Sequence, residues 1–240
     1  MKHIPNFITT LNLASGFISI LYALNGNQAA ASWLILAAMA FDFLDGFSAR
    51  MLKAYSPMGK ELDSLADIVS FGVAPAILIY NLLAESLSLP AEAINNADGF
   101  LTILILLSPV IMPVCTGLRL AKFNIDETQV SSFKGLPAPA NAMAVIGVVI
   151  GAEYSDSALI NSITGSAFAL VIITLVLSLL MVSRIPMFSL KFSHLRFRGN
   201  EERYILVVLA GAALIVFGFA GAALIIPLYV IISLASLFLR

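Results

Sequence analysis

The fold is decided by residues 42–67, which read DFLDGFSARMLKAYSPMGKELDSLAD and contain four aspartates. These residues join two largely apolar runs, residues 30–52 and 58–83. Each run is long enough to cross a bilayer as a helix, which takes about 20 residues. The segment therefore predicts an antiparallel pair of membrane helices whose carboxylates lie at a depth where lipid makes charge costly.

The composition of the whole chain excludes a water-soluble globular protein. Of its 240 residues, 60% are hydrophobic and 11% are charged, and the mean hydropathy is +0.99. An average soluble domain is about one quarter charged, so lipid must be the solvent for most of this chain. The net charge of −1 gives no basic field for a nucleic-acid partner, and the single cysteine, Cys115, excludes an internal disulfide.

The apolar segments predict an all-α integral membrane protein. The expected architecture is a helical bundle of about eight transmembrane helices in one domain, residues 1–240. The first segment is interpreted as retained rather than as a cleaved signal peptide, because it contains polar residues such as Asn12 and is not followed by an A-x-A site. The predicted spans cover residues 7–24, 30–52, 58–83, 100–120, 138–153, 160–183, 204–219 and 222–239.

The basic residues predict the orientation of the bundle, because Lys and Arg near span ends are retained on the cytoplasmic side of a membrane. All 13 of them fall at alternate connections between the predicted spans, and the opposite connections contain none. We therefore expect both termini in the cytoplasm and a site that is open to the cytoplasm. The compactness of the chain predicts that the membrane is the cytoplasmic membrane of a prokaryote. The bases are Lys2, Arg50, Lys53, Lys60, Arg119, Lys122, Lys134, Arg184, Lys191, Arg196, Arg198, Arg203 and Arg240.

The four aspartates lie on facing helix surfaces. Asp42 and Asp45 are three residues apart, and Asp63 and Asp67 are four apart, so each pair lies on one face of its helix. At a rise of about 1.5 Å per residue, Asp42 and Asp67 lie about 15 and 14 Å from the cytoplasmic helix ends, and Asp45 and Asp63 about 10 and 8 Å. The carboxylates are therefore expected to pair by level, Asp42 with Asp67 and Asp45 with Asp63.

Such a cluster of carboxylates repels itself unless cations neutralise it. One or two Mg²⁺ or Mn²⁺ ions are the simplest solution, because all-oxygen ligation suits these ions and no Cys or His lies in either helix. The alternatives are a buried ion network, or the proton or sodium path of a transporter. The small residues Gly46, Ala49 and Gly59 favour the metal site, since they leave room on the same faces for a bulky group.

The acidic segment resembles the complete signature of the CDP-alcohol phosphatidyltransferase family, in the spacing Asp42-x2-Asp45-Gly46-x2-Ala49-Arg50-x8-Gly59-x3-Asp63-x3-Asp67. The residues Pro5-Asn6-x2-Thr9 are similar to the family's amino-terminal segment. Three later segments resemble its phosphatidylserine synthase branch: RLAKFN at 119–124, FKGLPAPA at 133–140 and MVSRIP at 181–186. The family has a six-helix core, so the last two spans would be an addition.

The resemblance implies an enzyme that transfers the phosphatidyl group of CDP-diacylglycerol to the hydroxyl of L-serine and releases CMP. It implies that Asp42, Asp45 and Asp63 ligate metal, and that Asp67 borders the metal site and either acts as general base on serine or only ligates metal. It also implies two ions of Mg²⁺ or Mn²⁺ and a homodimer among membrane lipids. The residues implied in binding CDP-diacylglycerol are Asn6, Thr9, Gly46, Ala49, Arg50, Ser56 and Gly59.

Some of the donor-binding residues have a structural alternative. Asn6 and Thr9 could cap the start of the first helix. Ser56 could be a turn residue before Pro57. For Arg50, a fork of donors suited to phosphate oxygens favours the binding role.

The acceptor side has candidates with alternatives as well. Arg119, Lys122 and Asn124 are candidates for binding the acceptor or a phosphate, although interfacial bases are also common membrane anchors. Another acceptor alcohol, such as glycerol 3-phosphate or inositol phosphate, is the alternative reaction within the same family. A further basic cluster is expected only to orient the chain and to attract anionic lipids; it comprises Lys191, Arg196, Arg198 and Arg203.

Overall fold

A computed structural model describes residues 3–90, 93–125, 133–188, 197 and 199–239. Some of the bases used to predict the orientation lie outside the described residues, namely Lys2, Lys191, Arg196, Arg198 and Arg240. The described helices are α1 Ile4–Leu24, α2 Gln28–Met51, α3 Pro57–Asp67, α4 Ala74–Ser86, α5 Phe100–Leu107, α6 Ile111–Ile125, α7 Ala138–Tyr154, α8 Ala158–Thr164, α9 Ala167–Val182, α10 Glu201–Phe217 and α11 Ile225–Leu239. Between them lie a π-helical turn, Ile68–Val73, two 3₁₀ segments, Ser108–Val110 and Gly218–Leu224, and two short strands, β1 Phe133–Lys134 and β2 Pro186–Met187.

The helices confirm the predicted all-α membrane architecture. By length and composition, five helical stretches of the described residues could cross a membrane, and a sixth would be the pair α7 and α8, which is bent by 118°. This count is lower than the predicted number of about eight spans. The five stretches are Ile4–Leu24, Gln28–Met51, Pro57–Ser86, Phe100–Ile125 and Glu201–Leu237.

The two counts differ in the second half of the chain. Helices α7 and α9 coincide with predicted spans but have only 17 and 16 residues. The last two predicted spans belong to one helical stretch, within which Gly218 adopts a φ of +57° and Gly221 packs against the backbone of Ala213. A continuous helix would separate residues 213 and 221 by about 12 Å, so the chain reverses here. Apolar composition locates such helices but does not reveal their bends.

Helix α7 lies in the interior of the bundle. Most of its residues are buried, and many of them are alanine, glycine or valine. The segment Gly218–Leu224 packs closely on it, because a Cβ at Gly147 would lie 2.7 Å from the Ala222 carbonyl oxygen. A helix enclosed by protein on all sides needs small side chains, and its length is not set by the thickness of the lipid.

Helix α1 packs along α2 and along the broken helix formed by α3, the π-helical turn and α4. The Ser19 hydroxyl donates a hydrogen bond to the Ala31 carbonyl of α2, at 2.8 Å. The Ser70 hydroxyl of the π-helical turn donates to the Asn12 carbonyl of α1, at 3.0 Å. These bonds fix α1 against both helices that carry the acidic residues.

Many of the described basic residues gather at one end of the bundle. The Lys60 ammonium group, near the start of α3, donates to the Asn124 carbonyl at the end of α6, at 2.8 Å. Strand β1 pairs antiparallel with β2, which places Lys134 opposite Pro186 at the same end. Many of the bases that occur at alternate connections in the sequence thus lie at one end of the fold. It stays a prediction that this end faces the cytoplasm.

The close contact at Gly147 predicts a stability difference. We expect Gly147→Ala to lower the free energy of unfolding by about 1–3 kcal/mol, because the new methyl group overpacks the contact with Ala222. Gly211→Ala is the matched control, since no heavy atom lies within 4 Å of a Cβ at that position, and it should be neutral or stabilising through helix propensity. Thermal unfolding in detergent micelles compares the two variants, and equal stability would contradict the packing described.

Candidate active site

Three of the four aspartates converge between α2 and α3. Asp42, Asp63 and Asp67 each offer one carboxylate oxygen, and these oxygens all lie within 4.8 Å of one another. Asp67 is 7% exposed, whereas Asp42 and Asp63 are half-buried. The cluster is therefore open on one side and enclosed around Asp67.

The fourth aspartate has a different partner. Asp45 is 6% exposed, and its carboxylate accepts a hydrogen bond from the Thr9 hydroxyl of α1, at 2.6 Å. Asp45 still lies close enough to exert electrostatic repulsion on Asp63 and Asp67. The expected pairing by level describes only part of this arrangement. Asp42 approaches both Asp63 and Asp67, and α1 supplies a hydrogen-bond partner for Asp45. Depths calculated along α2 and α3 cannot reveal a contact that comes from a third helix.

The oxygens of this cluster fit a hard divalent cation. The Oδ1 atom of Asp63 is buried and accepts no hydrogen bond from any described residue. A buried carboxylate oxygen without a donor is costly unless a cation or an ordered water occupies the space beside it. Three carboxylates with no described thiol or imidazole among them form a donor set suited to Mg²⁺ or Mn²⁺. The structure thus provides an aspartate triad that could hold a metal ion.

A cavity of about 490 Å³ lies beside the cluster, between α1, the end of α2 and the start of α3. It brings together Asp45 and Asp63 with most of the residues predicted to bind the donor. Arg50 does not line this cavity; it is exposed, and one of its guanidinium nitrogens lies 3.9 Å from where a Cβ of Gly46 would be. The full lining is Pro5, Asn6, Thr9, Asp45, Gly46, Ala49, Ala54, Tyr55, Ser56, Pro57, Gly59, Lys60 and Asp63.

Of the three residues with a possible helix-capping role, Ser56 caps a helix, whereas Asn6 and Thr9 have other contacts. Ser56 is the N-cap of α3, since its hydroxyl accepts a hydrogen bond from the Gly59 amide at 3.0 Å, and it also lines the cavity. Helix α1 begins after His3 and has no side-chain cap, and Thr9 bonds Asp45 instead. Asn6 lies against Gly59, where a Cβ would come within 2.9 Å of the Asn6 amide oxygen. Glycine at this position therefore allows α1 to approach α3.

A second cavity, of about 460 Å³, is lined by basic residues. Arg119 and Lys122, both predicted acceptor candidates, line it together with Lys134 and Arg184. The strand pair and the end of α9 form its border. The Gly135 amide donates to the Ile185 carbonyl at 2.8 Å, which holds the segment after β1 against the segment before β2.

Arg119 connects the basic cavity with the acidic cluster. Its guanidinium lies close enough to Asp67 for electrostatic attraction between the two groups, and its buried Nε atom has no hydrogen-bond partner among the described residues. Arg119 thus both lines the basic cavity and interacts with an aspartate of the triad. Asn124, the third predicted acceptor candidate, does not line it: its side chain donates to the Ser64 hydroxyl at 2.9 Å, and its carbonyl accepts from Lys60.

Two further residues, Asn12 and Tyr229, support these sites and were not among the predicted site residues. The Asn12 amide donates to the Asp67 carboxylate at 3.3 Å. The Tyr229 hydroxyl of α11 donates to the Phe188 carbonyl at 2.9 Å, which connects the last helix with the segment after β2. Asn12 lies three residues after Thr9 on the same helix face, and this spacing could have identified it from the sequence. No sequence pattern could have identified Tyr229, because it lies far from every motif.

Comparison with known proteins identifies the family. The sequence model of the CDP-alcohol phosphatidyltransferase family matches residues 2–182. The chain belongs to this family. The match includes the aspartate cluster and ends with α9, so the reversed helical stretch that contains Tyr229 lies beyond it.

Several similar proteins are named as serine phosphatidyltransferases or as an archaetidylserine synthase. The CDP-diacylglycerol–serine O-phosphatidyltransferase of Bacillus subtilis (strain 168) is 37% identical over 202 residues, which is 84% of this chain and 96% of that protein. The enzyme of the same name from Mycobacterium leprae (strain TN) is 38% identical over 78% of this chain, but the chain spans only 58% of its length. The archaetidylserine synthase of Methanothermobacter thermautotrophicus is 38% identical over 64% of this chain and 60% of that protein.

The aspartate triad predicts a response to divalent ions. Mg²⁺ or Mn²⁺ should raise the unfolding temperature of the protein, because the ion relieves repulsion between the carboxylates. Asp42→Asn should reduce this shift and weaken the dependence of activity on the ion, while the ion-free protein becomes no less stable. Asp156→Asn, at an exposed position outside the cluster, is the control. An unchanged ion titration in Asp42→Asn would remove Asp42 from the site.

Proposed function

We propose that this protein is a serine phosphatidyltransferase, which transfers the phosphatidyl group of CDP-diacylglycerol to the hydroxyl of L-serine and releases CMP. The observation that carries the proposal is the aspartate triad beside the cavity formed by α1, α2 and α3. Membership of the family supports the donor. The names of the bacterial relatives support the acceptor.

The cavity beside the aspartates suits the nucleotide end of the donor. Gly46 and Ala49 leave the α2 surface flat, so that a base or ribose can lie against the helix. Asn6, Thr9, Ser56 and Gly59 border the same space and would contact the CDP group, and Arg50 would donate to its phosphate oxygens from the rim. The diacylglycerol chains would extend into lipid.

The aspartates are proposed as ligands for two ions of Mg²⁺ or Mn²⁺. Asp42, Asp63 and Asp67 form the triad, and Asp45 would contribute from the cavity side. When bound, such ions neutralise the diphosphate and the charge that develops on it during transfer. Thr9 would keep the Asp45 carboxylate oriented through its hydrogen bond.

Asp67 is proposed as general base. The serine hydroxyl oxygen forms a bond to the phosphorus of the phosphatidyl group, and the bond from this phosphorus to the CMP oxygen breaks. The hydroxyl proton passes to Asp67, because a carboxylate can accept it as the new bond to phosphorus forms. The Asp67 carboxylate is attracted by Arg119, which lines the basic cavity.

The basic cavity is proposed as the acceptor site. A zwitterionic amino acid needs donors for its carboxylate, and Arg119 and Lys122, joined by Lys134 and Arg184, would supply them. Asn124 would fix the end of α6 beside this cavity. The same four bases favour glycerol 3-phosphate or inositol phosphate as a second candidate acceptor, since an anionic phosphate has the same requirement.

We further propose that the protein lies in the cytoplasmic membrane of a prokaryote, with its site open to the cytoplasm, and that it forms a homodimer. The placement of the described bases at the same end as the site supports the orientation, because such bases are retained in the cytoplasm. The dimer follows from family membership alone.

Purified protein in detergent micelles tests the acceptor. With CDP-diacylglycerol and Mg²⁺ or Mn²⁺, CMP release should depend on L-serine and yield phosphatidylserine. Glycerol 3-phosphate and inositol phosphate are the competing acceptors, and turnover with either of them but not with serine would overturn the proposal. A transporter would release no CMP with any acceptor.

Asp67→Asn separates chemistry from donor binding. We expect this variant to lose turnover by several orders of magnitude, because the general base and its charge are both removed. At saturating Mg²⁺ or Mn²⁺, metal-dependent binding of CDP-diacylglycerol should be largely retained, since Asp42, Asp45 and Asp63 remain. Binding is measured with radiolabelled donor and turnover by CMP release, and retained turnover would remove Asp67 as the base.

A further inference from the structure

We infer that Asn12 of α1 is a positioning residue for Asp67, which fixes the orientation of its carboxylate toward the metal site. The inference rests on the metal and base roles proposed above for Asp67. It adds to them a residue that lies outside the acidic signature and outside both cavities.

The contact between the two side chains is fully enclosed. Asn12 is 0% exposed and Asp67 is 7% exposed. The Asn12 Nδ2 atom donates to the Asp67 Oδ1 atom at 3.3 Å, while the buried Asn12 Oδ1 atom has no partner within the part of the chain that the structure describes. A buried amide with one unsatisfied atom is costly in a bundle of apolar helices. An apolar side chain at this position would avoid the cost. The bond to Asp67 therefore explains why an asparagine is present here.

The backbone of Asn12 is held in place from the other side. Its carbonyl accepts the hydrogen bond from Ser70. One turn further along α1, a Cβ at Gly16 would lie 2.7 Å from the Ser70 Cα atom, so the π-helical turn reaches α1 only because residue 16 is glycine. That turn begins directly after Asp67. The backbone of Asn12 thus lies beside the turn that follows Asp67, and the side-chain amide of Asn12 is the group that reaches the Asp67 carboxylate.

The bond limits the orientations open to the Asp67 carboxylate. An aspartate on a helix can rotate about two side-chain torsions, and several rotamers would turn its oxygens away from Asp42 and Asp63. A donor on Oδ1 selects the orientation in which the triad forms. Loss of such an outer partner of a metal ligand typically weakens metal binding or activity by about 10–100-fold.

A second asparagine gives the matched comparison. The Asn81 side chain, in α4, donates to the Ala23 carbonyl of α1 at 2.7 Å. Asn81 and Asn12 thus both join α1 to the broken helix α3–α4, and only Asn12 contacts an aspartate. A purely structural role for Asn12 predicts the same consequences of mutation at both positions.

The experiment measures Mn²⁺ binding by electron paramagnetic resonance in micelles, without donor or acceptor, together with thermal unfolding of the ion-free protein. Asn12→Leu has nearly the same size and lacks the amide, and Asn12→Ala is the smaller alternative should leucine disturb packing. Asn81→Leu is the remote control. Ser70→Ala is the local control, since it removes the bond to the Asn12 backbone and keeps the amide.

We expect both Asn12 variants to bind Mn²⁺ about 10–100-fold more weakly than the wild type. The Asn81 and Ser70 variants should bind within about twofold of the wild type, whatever they lose in unfolding temperature. Equal Mn²⁺ affinity in the Asn12 variants and the wild type would overturn the inference, as would an equal loss of affinity in all variants. Absence of serine turnover in a wild type that binds Mn²⁺ removes the proposed acceptor and not the role of Asn12.

Discussion

The repulsion among carboxylates inside a membrane bundle is the constraint on which the rest of this structure depends. Asp42, Asp63 and Asp67 have oxygens within 4.8 Å of one another, in a place where charge is poorly solvated. A bundle selected for stability alone would not keep them. The two helices that carry them are therefore held by contacts that fix backbone and side chains, and the arrangement is favourable once cations occupy the space between the oxygens.

Helix α1 supplies much of this support from one face. Asn6, Thr9 and Asn12 follow one another at intervals of three residues and contact Gly59, Asp45 and Asp67 in that order. The polar face thus follows the acidic cluster from the cavity mouth to its enclosed end. Such a face would be unusual in a helix that contacts only lipid and apolar neighbours. It gives the first helix a part in the site that its distance from the signature in sequence does not suggest.

Two cavities of different character accompany the aspartate cluster. One borders Asp45 and Asp63 and is lined by small residues of α2 and α3. The other is basic and approaches Asp67 through Arg119. It is lined by residues of α6, by Lys134 and by the end of α9 with Ser183 and Arg184. The Tyr229 hydroxyl of α11 donates a hydrogen bond to the Phe188 carbonyl, in the segment that follows α9. Helix α11, which lies beyond the family match, therefore holds a segment next to this cavity.

The sequence by itself determined the membrane class, the positions of the helices and the family, because hydropathy and the spacing of residues 42–67 are local properties of the chain. It also predicted a set of donor-binding residues on α1, α2 and the start of α3, most of which line one cavity beside the aspartates. Only the tertiary structure decided that Asp42 meets both Asp63 and Asp67, that Thr9 and Asn12 are bonded to aspartates, and that Lys134 and Arg184 join Arg119 in one cavity. Those contacts depend on how separate helices are rotated and bent against one another, and rotation and bending arise from close packing between distant segments that no local pattern encodes.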